Sequence, residues 1–189
     1  MPARDSDATR RRLLESATAE FAAYGVAGAR VDRIAATAGV NKARLYDYYG
    51  DKLRLFDAVF RHEADAVTDS SPFTALDLPA YAVRLLDVLT ERPALARLLT
   101  WARLEQVTSD TFDTGMTLDD AKLAAVTEAQ QSGAVTAAIA AEDILKLTVS
   151  MALTWSAASL THYGAEDTEA DRQRHREALS LAVSRLLNP

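Results

Sequence analysis

The sequence predicts an all-α protein of about nine helices, three short ones at the N-terminus followed by a larger helical bundle. Three observations predict it. Ala and Leu dominate a 189-residue chain that is 49% hydrophobic yet holds only seven Gly and five Pro, and neither side chain loses much freedom in a helix. Apolar residues recur at three- and four-residue spacing along most of the chain. The breaks between these stretches carry residues that start and stop helices, and no segment alternates as a strand would.

The first helix is expected from Ser6 or Asp7, either of which can cap it, to Tyr24. Leu14, Ala17, Phe21 and Tyr24 would face inward, and Gly25 is a natural stop. The second spans Val31 to Ala38, with Val31, Ile34, Ala35 and Ala38 inward, and Gly39 ends it. Asn41 can cap a third helix from Lys42 to Tyr49, buried through Leu45 and Tyr49. Gly50 stops that helix, and Asp51 can cap a fourth reaching about Ala66.

Ser70, Ser71 and Pro72 precede a fifth helix near Leu78 to Leu89. Pro93 opens a sixth to about Val107, because a first-turn proline gives up no helical hydrogen bond. Thr108 to Gly115 reads as a loop and Thr117 to Gln131 as the seventh helix. The eighth is expected from Ala141 to His162, with Glu142 and Asp143 at its positive end. Thr168 and Asp171 stand at capping-box spacing before a ninth helix to Leu187.

Charge and composition narrow the function. Residues 1–52 hold nine Lys/Arg and seven Asp/Glu, and residues 53–189 hold twelve and twenty; the net −6 therefore divides into +2 and −8. A mildly basic head on an acidic body suits a protein that touches phosphate with one end. The chain has no Cys, so disulfides and thiolate metal sites are excluded. Met1 to Arg12 shows no secretory-leader pattern, and Ile144 to Leu160 is too short and polar for a membrane span. A cytoplasmic protein is expected. His62, His162 and His175 lack partners at metal-ligand spacing, and no phosphate loop, nucleophile elbow or catalytic carboxylate pair stands out. Neither a metal, nor a cofactor, nor catalytic residues are expected.

The informative segment runs from Val31 to Tyr46. Ala35 is small enough for two short helices to cross, Gly39 tolerates the positive φ of the turn, and Val40 and Leu45 anchor the second helix on the first. Such a helix-turn-helix leaves Lys42, Ala43, Tyr46 and Asp47 on the outer side, where the major groove of double-stranded DNA would lie, flanked by Arg44 and Tyr48. Ala-x3-Gly-x5-Leu is common by chance. Its place after an amphipathic helix and before Tyr46-x-Tyr-Tyr-Gly-Asp-Lys52 makes it specific.

From Thr9 to about Val59 the chain resembles the tetracycline-repressor (TetR) family of transcriptional regulators. Thr9-Arg-Arg-Arg-Leu-Leu-Glu-Ser-Ala17 and Phe21-Ala-Ala-Tyr-Gly25 are similar to that family's opening helix. Ile34-Ala-Ala-Thr-Ala-Gly-Val40 and Leu45-Tyr-Asp-Tyr-Tyr-Gly-Asp-Lys52 resemble its most specific signatures. The resemblance implies a DNA-reading head over residues 1–52 and a dimeric, effector-binding body over 53–189. It implies that Lys42 and Ala43 approach base edges and that Arg44, Tyr46, Tyr48 and Lys52 hold phosphates. Two residues depart from the pattern. Arg30 replaces the usual Thr or Ser cap of the second helix, giving up roughly 1 kcal/mol, and can contact phosphate instead. Asp47 repels phosphate but can accept from a cytosine amino group.

Arg10, Arg11 and Arg12 either grip DNA or solvate a helix face. In the body, Trp101, Leu104, Met116, Met151 and Trp155 either line a ligand cavity or fill plain core. The eighth and ninth helices carry more apolar surface than one packing face needs, which points to a homodimer through these two. The sequence thus reads as a repressor on a palindromic operator, released by a small-molecule effector. The competing reading is a helical small-molecule-binding protein or enzyme with a vestigial helix-turn-helix.

Overall fold

The structure, a computed structural model, describes residues 3–70, 72–105, 120–161 and 167–187, with the side chains of 3–5 and 64–70 left aside. Among the described residues it is all helical: α1 Ala3–Gly28, α2 Val31–Thr37, α3 Lys42–Tyr49, α4 Lys52–Ser70, α5 Leu78–Glu91, α6 Pro93–Leu104, α7 Asp120–Gln131, α8 Ala141–Ala152 and α9 Glu169–Leu187. Short 3-10 turns precede α5 and follow α8. No described helix is long and apolar enough to cross a membrane.

The chain forms two compact units. The first holds the described residues up to Ala64 together with Arg97 to Glu105; the second holds the rest. The division expected after residue 52 therefore falls inside α4. The reason is packing: Leu55, Phe56, Val59 and Phe60 are buried, and Phe56 meets Phe21 of α1 edge to face at 5.2 Å.

In the first unit, α1 begins at Ala3 rather than at a cap on Ser6 or Asp7. Its inward stripe is Leu13, Ala17 and Phe21, all fully buried. Ala17 and Phe21 face inward as expected, but Leu13 replaces Leu14, which is half-buried, and Tyr24, next to the break at Gly25, is 51% exposed. Tyr24 instead supports the Arg33 guanidinium 4.3 Å above its ring. Gly25 breaks the helix with φ 69° and ψ −178°, a conformation essentially restricted to glycine. The last turn of α6 closes over this break. Trp101 Nε1 donates to Ala22 O at 3.3 Å, and the Ala27 N–H donates to Glu105 Oε2 at 2.9 Å.

In the second unit, α5 is capped by Asp77, whose Oδ1 accepts from Ala80 N at 3.1 Å. The core joins Tyr81, Leu85 and Leu89 of α5 to Val126, Ile144 and Leu145, and to Leu179 and Val183 of α9. Arg176 Nε donates to Asp87 Oδ1 at 2.7 Å, tying α9 to α5. α8 ends at Ala152, ten residues short of the expected His162. The buried Ser156 explains the stop: its Oγ donates to Leu153 O at 2.9 Å and accepts from Ala158 N at 3.1 Å, a local alternative to the helical ladder. The buried face of α8 is Ile144, Leu145, Thr148 and Ala152, and Leu147 is 43% exposed. α9 opens with the expected capping box, in which Asp171 N donates to Thr168 Oγ1 at 3.2 Å and Thr168 N to Asp171 Oδ2 at 3.1 Å. His175, Leu179, Val183 and Leu187 are its buried stripe, and Leu181 is 60% exposed. The expected loop at Thr108 to Gly115 and the start of the seventh helix at Thr117 lie outside the described residues.

Two outcomes check these contacts. At Gly25 a Cβ would run into the Glu105 carboxylate and come within 2.8 Å of the Trp101 ring. Gly25→Ala should lower the free energy of unfolding, read from denaturant melts, by more than the ~1–3 kcal/mol of the backbone conformation alone, whereas Gly133→Ala, with nothing within 4 Å, should show only the backbone cost. Hydrogen bonds from Thr168 and Arg174 hold the Asp171 carboxyl at about 2. Thr168→Ala should move its NMR-detected titration up toward 3.8.

Candidate nucleic-acid interface

Two short helices and their turn form the candidate site. Ile34, Ala35 and Ala38 of the first and Leu45 of the second are all at most 3% exposed. Gly39 sits at φ 69° with open space around the missing Cβ, so the turn requires its conformation and not its size. Val40 N donates across the turn to Ala35 O at 3.0 Å. Asn41 Oδ1 accepts from Arg44 N at 2.7 Å and starts α3, and Gly50 at φ 78° ends it. Asp51 Oδ1 then accepts from Arg54 N at 2.8 Å and starts α4. Each of these punctuation marks was expected, because caps and stops act within a few residues of the side chain that makes them.

Contacts between distant residues hold this pair of helices, and sequence spacing gave no sign of them. The Glu20 side chain, 10% exposed, accepts from Arg30 N at 2.8 Å and from Arg33 Nε at 2.8 and 3.1 Å. It thereby takes the N–H of Arg30 itself, a residue whose own side chain makes no cap. Burial pushes the Glu20 carboxyl up, but the hydrogen bonds and charges of Arg33 and Arg30 outweigh it and leave it below 4.5. Arg12 Nε donates to Ala38 O at 3.2 Å, at the other end of α2. Of the three N-terminal arginines, Arg12 is thus structural. Arg11 pairs with Glu15 on an exposed face, and Arg10 is exposed.

The outer side of α3 carries Lys42, Ala43, Tyr46 and Asp47, all exposed, with Arg44 and Tyr48 half-buried beside them. Lys42 Nζ lies 3.1 Å from both carboxylate oxygens of Asp32, a residue that sequence reasoning missed. The hydrogen bond and charge of Asp32 hold the Lys42 pKa above its usual value. Tyr48 OH stands 3.1 Å from Ser6 Oγ. Arg30 is exposed at the mouth of α2. Lys52 is half-buried and donates to Ala27 O and Ala29 O, both at 3.4 Å, placing a positive charge at the negative end of α1.

The expected ligand-site residues that the structure describes fall in both units. Trp101 and Leu104 belong to the first unit, where the Trp101 indole is taken up by Ala22 and Leu104 is 68% exposed. Met151 and Trp155 are half-buried in the second unit, with Trp155 stacked on His175 at 4.6 Å. Met116 lies outside the described residues. The second unit also holds an unexpected cleft of about 330 Å³ between α5 and the start of α9, lined by Leu86, Thr90, Glu91, Asp167, Arg172 and His175 among others. Its arginines are engaged by Asp87, Glu169 and the Asp167 carbonyl.

Comparisons with known proteins follow this geometry. Residues 13–59 match the family model for bacterial regulatory proteins, tetR family, and residues 77–185 match that for the tetracyclin repressor-like C-terminal domain. The HTH-type transcriptional repressor SCO4008 of Streptomyces coelicolor is 42% identical over 154 residues, covering 80% of each chain. The crystal structure of SCO4942, also from Streptomyces coelicolor, superposes with a TM-score of 0.79 at 34% identity, over 95% of this chain and 98% of that one. The crystal structure of AibR in complex with isovaleryl coenzyme A and operator DNA has the same fold, with a TM-score of 0.70 at 17% identity over 96% and 99% of the two chains.

Glu20→Gln should destabilise the protein at neutral pH and flatten its acid dependence. A carboxyl held below 4.5 stabilises the fold above that value and loses its contribution as pH falls through the lower folded value. Denaturant midpoints of the two proteins should therefore converge in acid.

Proposed function

The chain belongs to the TetR family of bacterial transcriptional regulators, and from that premise we propose that it is a cytoplasmic, non-catalytic repressor that leaves a palindromic operator when a small molecule binds its second unit. One observation carries the DNA half of this reading. Lys42, Ala43, Tyr46 and Asp47 are all exposed along α3 while Leu45 and Tyr49 are buried, and an exposed face on a short anchored helix is what a major-groove reader needs.

In this arrangement Lys42 and Ala43 meet base edges, and Asp47 accepts from a cytosine amino group. Arg30, Arg44, Tyr46, Tyr48 and Lys52 meet backbone phosphates. Two copies present two heads about 34–36 Å apart, one turn of B-DNA. Exposed Leu147 on α8 and Leu181 on α9, with the small exposed Ala178 and Ala182 beside Leu181, support a dimer through these helices.

On the effector side, AibR joins a coenzyme A thioester and operator DNA on the same fold, which supports a ligand-responsive body here. Among the described residues, Met151 and Trp155 are the expected pocket residues that fall in the second unit. The effector need only bind the DNA-incompetent state better, and a coupling of about 1–3 kcal/mol is typical of such systems.

A gel shift with the DNA upstream of the protein's own gene tests the reading, which fails if no specific complex forms. Tyr46→Phe should weaken binding to all duplexes and leave the salt slope nearly unchanged, because a phenol hydroxyl bonds phosphate without neutralising it. Lys52→Ala should also weaken binding to all duplexes, reduce the salt slope by about 0.9, the signature of one lost charge contact, and lower thermal stability, because its ammonium holds the end of α1. Lys42→Ala should relax sequence preference, by about 1–3 kcal/mol at one position.

A further inference from the structure

Lys42 is the first residue of α3, at the positive end of the helix dipole, and α3 has no acid in its own first turn. That is an unfavourable place for an ammonium. The missing counter-charge comes from α2. Asp32, ten residues earlier, puts both carboxylate oxygens 3.1 Å from Lys42 Nζ, while Asp32 remains 74% and Lys42 50% exposed. An ion pair this exposed adds little to stability, and α3 is already fixed by Leu45, Gly39 and the Asn41 cap. Holding the fold together therefore does not account for the pair.

Its position does. The pair lies at the start of α3, beside exposed Ala43, where the reading above puts the base-contacting residues. Resting on the DNA-reading role proposed above, we propose that Asp32 is a specificity-determining residue that acts with Lys42 as one donor–acceptor doublet. The doublet reads a G·C pair in each half-site and denies the ammonium to backbone phosphate. In the major groove guanine offers the acceptors O6 and N7, and its cytosine partner offers the N4 amino donor. An ammonium has three donors, so Lys42 can give two to guanine while one stays with Asp32. The carboxylate keeps lone pairs for cytosine. An A·T pair presents a methyl group and a differently ordered donor and acceptor, which the doublet does not match. A phosphate offers no donor to the carboxylate and must compete with it for the ammonium.

The test is selection of bound duplexes from a randomised pool by the full-length protein and its variants, with binding to non-operator DNA measured against salt. Asp32→Ala should relax the same G·C position that Lys42→Ala relaxes. It should also raise non-operator affinity about three- to tenfold and steepen its salt slope by about 0.9. The double variant should be no less selective than Lys42→Ala alone, and Asp32→Glu should restore part of the preference. Circular dichroism melts matching wild type show that the fold is intact. An Asp32→Ala profile unchanged at every position, or altered where Lys42→Ala has no effect, overturns the doublet while leaving the DNA-reading role standing. A wild-type protein that selects no sequence overturns both.

Discussion

An eight-residue helix does not hold itself together in water, because the cost of nucleating it exceeds what so few hydrogen bonds return. Everything α3 can do on DNA depends on what fixes it from outside. Leu45 anchors it from below and Asn41 closes its first turn. The helix it packs on is only seven residues long and is held at both ends by α1. Glu20 takes the Arg30 N–H and the Arg33 guanidinium at one end, and Arg12 takes the Ala38 carbonyl at the other. The 26-residue α1 is therefore the frame of the reader. The same frame is anchored at its own end by Lys52, Trp101 and Glu105, which engage Ala27, Ala29 and Ala22 around the break at Gly25.

How much of this was legible in the sequence follows from the range of each interaction. Gly25, Gly39, Asn41, Gly50, Asp51 and the Thr168–Asp171 box act within three or four residues, and the structure finds each in its expected role. The outer face of α3 followed from these, since a start, a stop and one buried leucine fix the rotation of so short a helix. Longer helices left more freedom. Leu13 and Leu14 are both apolar, so periodicity could not decide which of them faced the core, and Tyr24, on the buried face by its spacing, is exposed where the helix breaks at Gly25. In α8 the hydroxyl of Ser156 competed with the ladder, and an apolar run that continued in sequence stopped in space. Non-local partners were out of reach altogether. Glu20 with Arg33, Asp32 with Lys42 and Lys52 with two carbonyls are joined only once the helices cross. Trp101 is a further case: its spacing showed a large aromatic in a helical body, but not that its indole N–H would brace α1 through the Ala22 carbonyl.

The charge of the head is itself a constraint on how such a regulator can let go. The first 52 residues carry a net charge of only +2, and several of their cations are held by carboxylates: Arg11 by Glu15, Arg33 by Glu20 and Lys42 by Asp32. Binding that ignores sequence grows with the number of phosphates neutralised, so on the reading proposed above this pairing lowers general attraction to DNA and leaves discrimination to the groups assigned to base edges. What matters in a genome is the ratio of specific to non-specific affinity multiplied by the number of competing sites. A strongly basic head would hold the protein on neighbouring DNA after its operator contacts were lost, and a coupling of about 1–3 kcal/mol, roughly 5- to 150-fold, would not clear it. With weak general attraction, the same modest coupling is enough to move the protein from bound to free.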